Sequence, residues 1–133
     1  MQRTTAVLYS TAVCNLNCTY CYINKNKGLS AIDRLLAESF SDPDYYFDFI
    51  RDYFPHRGDL QNLEVWGAET FLHMERVHPT IHKLVEHYPF FRRFFASTNF
   101  SYPEWTDKVF DLLGQFAGYA PRRYDQALQL CLA

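Results

Sequence analysis

Three cysteines near the start of the chain are the residues best suited to do chemistry. Cys14, Cys18 and Cys21 form a C-x3-C-x2-C run directly after an apolar stretch at residues 5–13. Thiolates bind soft metal centres, and three of them in one short loop can converge on one centre. A four-iron cluster usually takes four protein thiolates, so three local ligands would leave one iron open for chemistry.

Zinc and structural thiols are the alternatives to an iron–sulfur cluster. Structural zinc sites usually combine two ligand pairs, but the chain has no second C-x2-C pair, and its fourth cysteine is Cys131. His78 and His82 have the i, i+4 spacing that could contribute to a zinc site. A disulfide is disfavoured because the sequence shows no signal-peptide pattern and the three cysteines crowd one loop.

The elements that must position this loop alternate between strand and helix patterns. Short β-branched or aromatic runs predict strands at residues 7–9, 63–66 and 94–96. Helices are predicted to start at Asp42-Pro43, at His78-Pro79 and at Pro103, because proline is favoured in the first turn of a helix. The apolar residues expected to face the core of these helices are Phe47, Ile50, Phe54, Ile81, Leu84, Val85, Tyr88, Trp105, Val109, Leu112, Leu113 and Phe116, with Gly118 as a stop signal.

Alternating strands and helices predict an α/β fold with a parallel sheet. In such folds the functional groups gather at the carboxyl ends of the strands. The cysteine loop follows the first predicted strand, Glu69 follows the second, and Ser97 and Asn99 close the third. The polar groups are therefore expected on one edge of the sheet.

At this point the sequence resembles a known family. Cys14, Cys18 and Cys21, with the aromatic Tyr20 before the last cysteine, resemble the signature of radical S-adenosylmethionine (radical SAM) enzymes. The resemblance implies a [4Fe–4S] cluster whose fourth iron is chelated by the amino and carboxylate groups of S-adenosylmethionine. Reductive cleavage of that cofactor gives a 5′-deoxyadenosyl radical, which abstracts hydrogen from a substrate.

Two further segments are similar to the same family. Residues 63–70 resemble a strand that ends in Gly-Gly-Glu-Pro, although Ala68 and Thr70 replace the second Gly and the Pro. Residues 92–99 resemble a third strand that ends in Ser-Thr-Asn before a Gly, which is Phe100 here. The resemblance implies that the residues in contact with the cofactor are Tyr20, Glu69, Ser97 and Asn99. Ser97 and Asn99 could instead cap the turn before the next helix, and Tyr20 could pack on the loop.

The resemblance also implies a fold and a set of partners. The expected architecture is an incomplete (β/α) partial TIM barrel of about three βα units plus a fourth strand at residues 124–132. Residues 1–133 would then be a truncated radical SAM core domain. A non-catalytic iron–sulfur or zinc fragment, or half of a split enzyme, is the alternative. The implied partners are a small electron donor such as a flavodoxin or ferredoxin and an unidentified substrate, of which a peptide is one candidate.

Composition excludes other classes of function. The formal net charge is −2 and the isoelectric point is about 6.2, so the basic surface of a nucleic-acid-binding protein is not expected. No apolar run approaches the ~20 residues that cross a bilayer. Reduced cysteines and an oxygen-sensitive cluster predict a reducing cytoplasm.

Overall fold

The computed structural model describes residues 4–13, 29–89, 92–96 and 101–117. Over these ranges three strands alternate with four helices. In chain order the elements are β1 (Thr5–Tyr9), α1 (Leu29–Phe40), α2 (Pro43–Tyr53), β2 (Asn62–Trp66), α3 (Met74–His87), β3 (Arg93–Ala96) and α4 (Pro103–Ala117). The expected α/β class is confirmed.

The three strands form one parallel sheet in the order β1-β2-β3. Leu8 of β1 lies opposite Val65 of β2, which in turn lies opposite Ala96 of β3. All three predicted strands are present, and each begins one or two residues earlier than its apolar run. Because the strands are parallel, their carboxyl ends meet at one edge, as the sequence predicts.

The sheet has one covered and one open face in the part of the chain that the structure describes. Alternate residues of the strands are buried in a common core with the helices, since successive side chains point to opposite faces. On the open face Val7 is 48% exposed and Tyr9 is 60% exposed, while the ring of Trp66 contacts that of Phe95 at 5.1 Å. The strand residues on the covered face are Ala6, Leu8, Leu63, Val65, Phe94 and Ala96.

The helix starts follow local capping signals in α2 but not in α3. Asp42 caps α2 by accepting a hydrogen bond from the backbone N–H of Asp44 at 3.0 Å. The predicted start of α3 at His78 is wrong, because the helix begins at Met74 and contains Pro79 in its interior. Met74 and Val77 are fully buried, so tertiary packing stabilises an additional first turn that the local pattern does not reveal.

The apolar stripes are confirmed where their side chains are described. Ile81, Leu84, Val85 and Tyr88 in and beside α3 are fully buried, and so are Val109 and Leu113 of α4. By contrast, α1 was not predicted from the sequence. Phe116 and Gly118, together with the predicted strand at residues 124–132, lie outside the described side chains. Within the described helices, none combines the length and apolar character needed to cross a membrane.

Candidate functional site

The carboxyl ends of β1 and β2 remain joined beyond the last residues of the strands. The backbone N–H of Ser10 donates to the carbonyl of Trp66 at 2.8 Å. Further along, the N–H of Ala68 donates to the carbonyl of Thr11 at 3.1 Å, and the N–H of Glu69 donates to that of Val13 at 3.3 Å. The pairing therefore continues to the residue that immediately precedes Cys14.

Ser10 and Gly67 make the closest approach within this junction. The Ser10 hydroxyl is buried and donates to the carbonyl of Thr70 at 2.8 Å. A Cβ atom on Gly67 would lie 2.7 Å from Ser10 Oγ and 3.1 Å from the Thr11 carbonyl oxygen. Since no side chain fits in that space without displacing the backbone of Thr11, glycine is required there by close packing.

Gly67→Ala is accordingly expected to destabilise the protein. Overpacking of this kind costs about 1–3 kcal/mol, measured as a fall in the free energy of unfolding in urea. Gly114→Ala is the matched control, because Gly114 is exposed within α4. There alanine should stabilise the helix by about 0.5–1 kcal/mol. Equal effects of the two substitutions would contradict the packing argument.

Glu69 lies at this junction, at the carboxyl end of β2. It is 2% exposed, and its Oε1 atom accepts a hydrogen bond from the backbone N–H of Phe71 at 3.2 Å. Its own N–H bonds to Val13, which places Glu69 beside the segment that leads into the cysteines. Glu69 therefore places a buried acidic side chain at the end of the sheet where the cysteine segment begins.

The other predicted site residues fall outside the residues that the structure describes: Cys14, Cys18, Cys21, Tyr20, Ser97 and Asn99. For two of the six, Cys14 and Ser97, the preceding residue is described. Val13 precedes Cys14, and Ala96 ends β3 immediately before Ser97. The roles predicted for these six residues stay predictions.

A buried ion pair next to this junction was not predicted from the sequence. The carboxylate of Asp33 in α1 receives two hydrogen bonds from the Arg76 guanidinium in α3, at 3.0 and 2.9 Å. The Thr11 hydroxyl donates to Asp33 Oδ1 at 2.5 Å, and the Ala12 N–H donates to the same oxygen at 3.0 Å. The sequence feature that could have indicated it is the position of Asp33, which lies seven residues before the buried Phe40 and therefore on the same side of α1.

These contacts control the ionisation of Asp33. Burial alone would raise the pKa of Asp33, but hydrogen bonds from Arg76, Thr11 and Ala12, together with the charge of Arg76, hold it well below its ordinary value. A carboxylate whose pKa is lower in the folded than in the unfolded state stabilises the fold above the unfolded pKa of ~3.9. That stabilisation is lost as the pH falls through the lower, folded pKa.

We therefore expect the pH dependence of stability to depend on Asp33. Between pH 7 and pH 4, the free energy of unfolding of the wild type should exceed that of Asp33→Asn. The difference should narrow as the pH falls below about 4, because the unfolded wild type then binds a proton at Asp33 that the folded wild type does not, whereas Asp33→Asn has no such group. Urea unfolding of both proteins at several pH values measures this, and a gap that stayed constant down to pH 2 would contradict the assignment.

No metal-binding group appears among the described residues. In those ranges no three His, Cys, Asp or Glu side chains come together as a metal-binding group. Within the i, i+4 histidine pair, His82 Nε2 lies 3.2 Å from Glu86 Oε1, while the ring of His78 lies against that of Trp105 at 5.8 Å.

Comparisons with models of protein families, with curated proteins and with solved structures found no match to this chain.

Proposed function

We propose that this chain is a radical SAM protein, in which Cys14, Cys18 and Cys21 hold a [4Fe–4S] cluster. When bound, the cluster and S-adenosylmethionine would supply a 5′-deoxyadenosyl radical that removes hydrogen from a substrate. The donor set suits such a centre, because three thiolates match three irons and leave the fourth for the cofactor. The proposal rests on the cysteine motif and on the two further segments that resemble the family.

The observation that best supports this proposal is the backbone junction between β1 and β2. The N–H of Glu69 bonds to the carbonyl of Val13 at 3.3 Å, so the backbone of this buried acidic residue is joined to the residue that precedes Cys14. The amino group of S-adenosylmethionine is positively charged, and a charge-assisted hydrogen bond to Glu69 would orient it toward the open iron. Tyr20, Ser97 and Asn99 would complete the contacts to the cofactor.

The open face of the sheet supports a partial (β/α) barrel as the proposed architecture. Parallel sheets normally have both faces covered, and here the helices bury only one of them within the described residues. In a barrel the other face would line the interior, where Tyr9 and Trp66 lie at the end nearest the cysteine loop. Further strands would be needed to enclose that interior.

The proposed partners follow from the chemistry. Each reductive cleavage consumes one electron, so a small donor such as a flavodoxin or ferredoxin is required. The substrate is unidentified; a peptide is one candidate, because residues 10–13 and 22–24, which flank the cysteines, resemble the peptide-modifying branch of the family. A reducing cytoplasm would keep the thiols and the cluster intact.

The test is electron paramagnetic resonance on anaerobically reconstituted, dithionite-reduced protein, with and without S-adenosylmethionine. We expect a [4Fe–4S]⁺ signal whose shape changes when the cofactor is added. A signal that does not respond would contradict cofactor binding at the open iron. Absence of any cluster would overturn the proposal, and zinc analysis by mass spectrometry would then identify the alternative metal.

A further inference from the structure

The ion pair between Asp33 and Arg76 lies where the two ends of the cysteine segment meet. Thr11 and Ala12 stand just before that segment, and Asp33 stands in the first turns of α1, which follows it. One carboxylate oxygen, Asp33 Oδ1, accepts from Thr11, Ala12 and Arg76. The same few atoms therefore tie together the entry and the exit of the chain that carries Cys14, Cys18 and Cys21.

Arg76 adds a third element to this arrangement. Its guanidinium reaches from α3 and binds both oxygens of Asp33, with side-chain exposures of 16% for Arg76 and 13% for Asp33. It also lies 3.5 Å from the carbonyl oxygen of Ser10 at the end of β1. Because the guanidinium is planar and forms two parallel bonds, it fixes the orientation of the carboxylate as well as its position.

Closing a loop has an entropic cost that grows with its length. The hydrogen bonds of Asp33 already hold both ends of the cysteine segment together. They therefore remove much of the loop-closure entropy from the metal-binding step, which is the usual benefit of a preorganised site. The hydrogen bond from the Val13 N–H to Thr11 Oγ1 at 3.2 Å extends this order to the residue before Cys14.

We propose that Asp33 and Arg76 are positioning residues that hold the two ends of the cysteine segment in the arrangement needed to bind its metal cluster. The inference rests on the proposed function and deepens it, because it assigns a role to residues that carry no cysteine and belong to α1 and α3. Neither residue is required to touch the cluster or the cofactor.

A purely structural ion pair would behave differently under substitution. Replacing both members of a buried pair by apolar residues is often neutral or stabilising, whereas removing one member leaves a buried charge without its partner. Asp33→Leu combined with Arg76→Met should therefore recover stability relative to either single variant. The double variant cannot restore the hydrogen bonds to Thr11 and Ala12. Under the proposal it should therefore still bind iron more weakly than the wild type.

The experiment compares Asp33→Asn, Arg76→Lys and the apolar double variant with the wild type. Leu84→Ala is the matched control, because it removes a fully buried side chain of α3 that makes none of these contacts. Each protein is reconstituted anaerobically, its iron and sulfide are counted, and a chelator is titrated until half the iron is removed. In parallel, hydrogen exchange of the Ala12 and Val13 amides is followed in the metal-free proteins below their unfolding midpoints.

We expect the Asp33 and Arg76 variants to hold iron on the order of 10- to 100-fold more weakly, the usual effect of losing a group that orients metal ligands. Their Ala12 and Val13 amides should exchange faster than those of Leu84→Ala. Arg76→Lys should still bind iron more weakly than the wild type, because lysine keeps the charge but offers no planar fork. Iron retention and amide exchange equal to those of Leu84→Ala would overturn the inference.

Failure of the proposed function gives a different result. If the wild type itself binds no iron, the metal assignment fails and the role in cluster binding fails with it. If the wild type binds iron and responds to S-adenosylmethionine while Asp33→Asn does so equally well, only the positioning role is overturned.

Discussion

Replacement of Cys18 by alanine is expected to abolish the [4Fe–4S] cluster. If the three cysteines of the motif supply all the protein ligands, loss of the middle one leaves two thiolates for a centre that needs three. Iron content after anaerobic reconstitution should fall from about four atoms per chain to a small fraction of that, and the paramagnetic signal of the reduced protein should disappear.

Cys131→Ala is the matched control for this experiment. Cys131 is the one cysteine outside the motif, so its replacement should leave the iron content and the signal unchanged. Full iron stoichiometry in Cys18→Ala would contradict the assignment of the cluster. Loss of iron in both variants would instead indicate that Cys131 is a ligand, as in a four-cysteine site.

Glu69→Gln is expected to weaken binding of S-adenosylmethionine while leaving the cluster in place. Glutamine keeps the size of the side chain and an oxygen that can accept from the Phe71 N–H, but it removes the negative charge. A hydrogen bond to a charged group contributes about 1.5–3 kcal/mol, so the dissociation constant should rise on the order of 10- to 100-fold. Titration of the cofactor against the change in the paramagnetic signal measures this.

Glu86→Gln provides the control for the loss of one carboxylate elsewhere. Glu86 is exposed on α3, where it pairs with His82, so its replacement should change neither iron content nor cofactor affinity. If Glu69→Gln bound the cofactor as tightly as Glu86→Gln, the role proposed for Glu69 would be wrong. If Glu69→Gln lost its iron, the carboxylate would be acting on the loop rather than on the cofactor.

The sequence predicted the strands and the edge of the sheet that carries the site. Strands are recognisable because short β-branched and aromatic runs have few other stable arrangements. Once three such runs alternate with helices, a parallel sheet follows, and with it the common edge at which Val13 and Glu69 meet. The start of α2 was equally clear, since Asp42 and Pro43 form a local cap.

Helix boundaries without a local cap were not predictable in this way. The first turn of α3 exists because Met74 and Val77 pack into the core, and α1 is held through Asp33, which binds Arg76. Both depend on contacts between residues far apart in the chain. Such contacts leave no mark in a window of neighbouring residues, which is all that a periodic pattern measures.

The sequence by itself determined which groups are proposed to do the chemistry, because the type and spacing of Cys14, Cys18 and Cys21 are typical of metal ligands whatever the fold. Only the tertiary structure decided which contacts hold the described residues before and after that segment. Asp33 and Arg76 are 43 residues apart and form a pair because α1 packs against α3. The partner of a buried charge is set by that packing, whereas the chemistry of a thiolate is set by the residue itself.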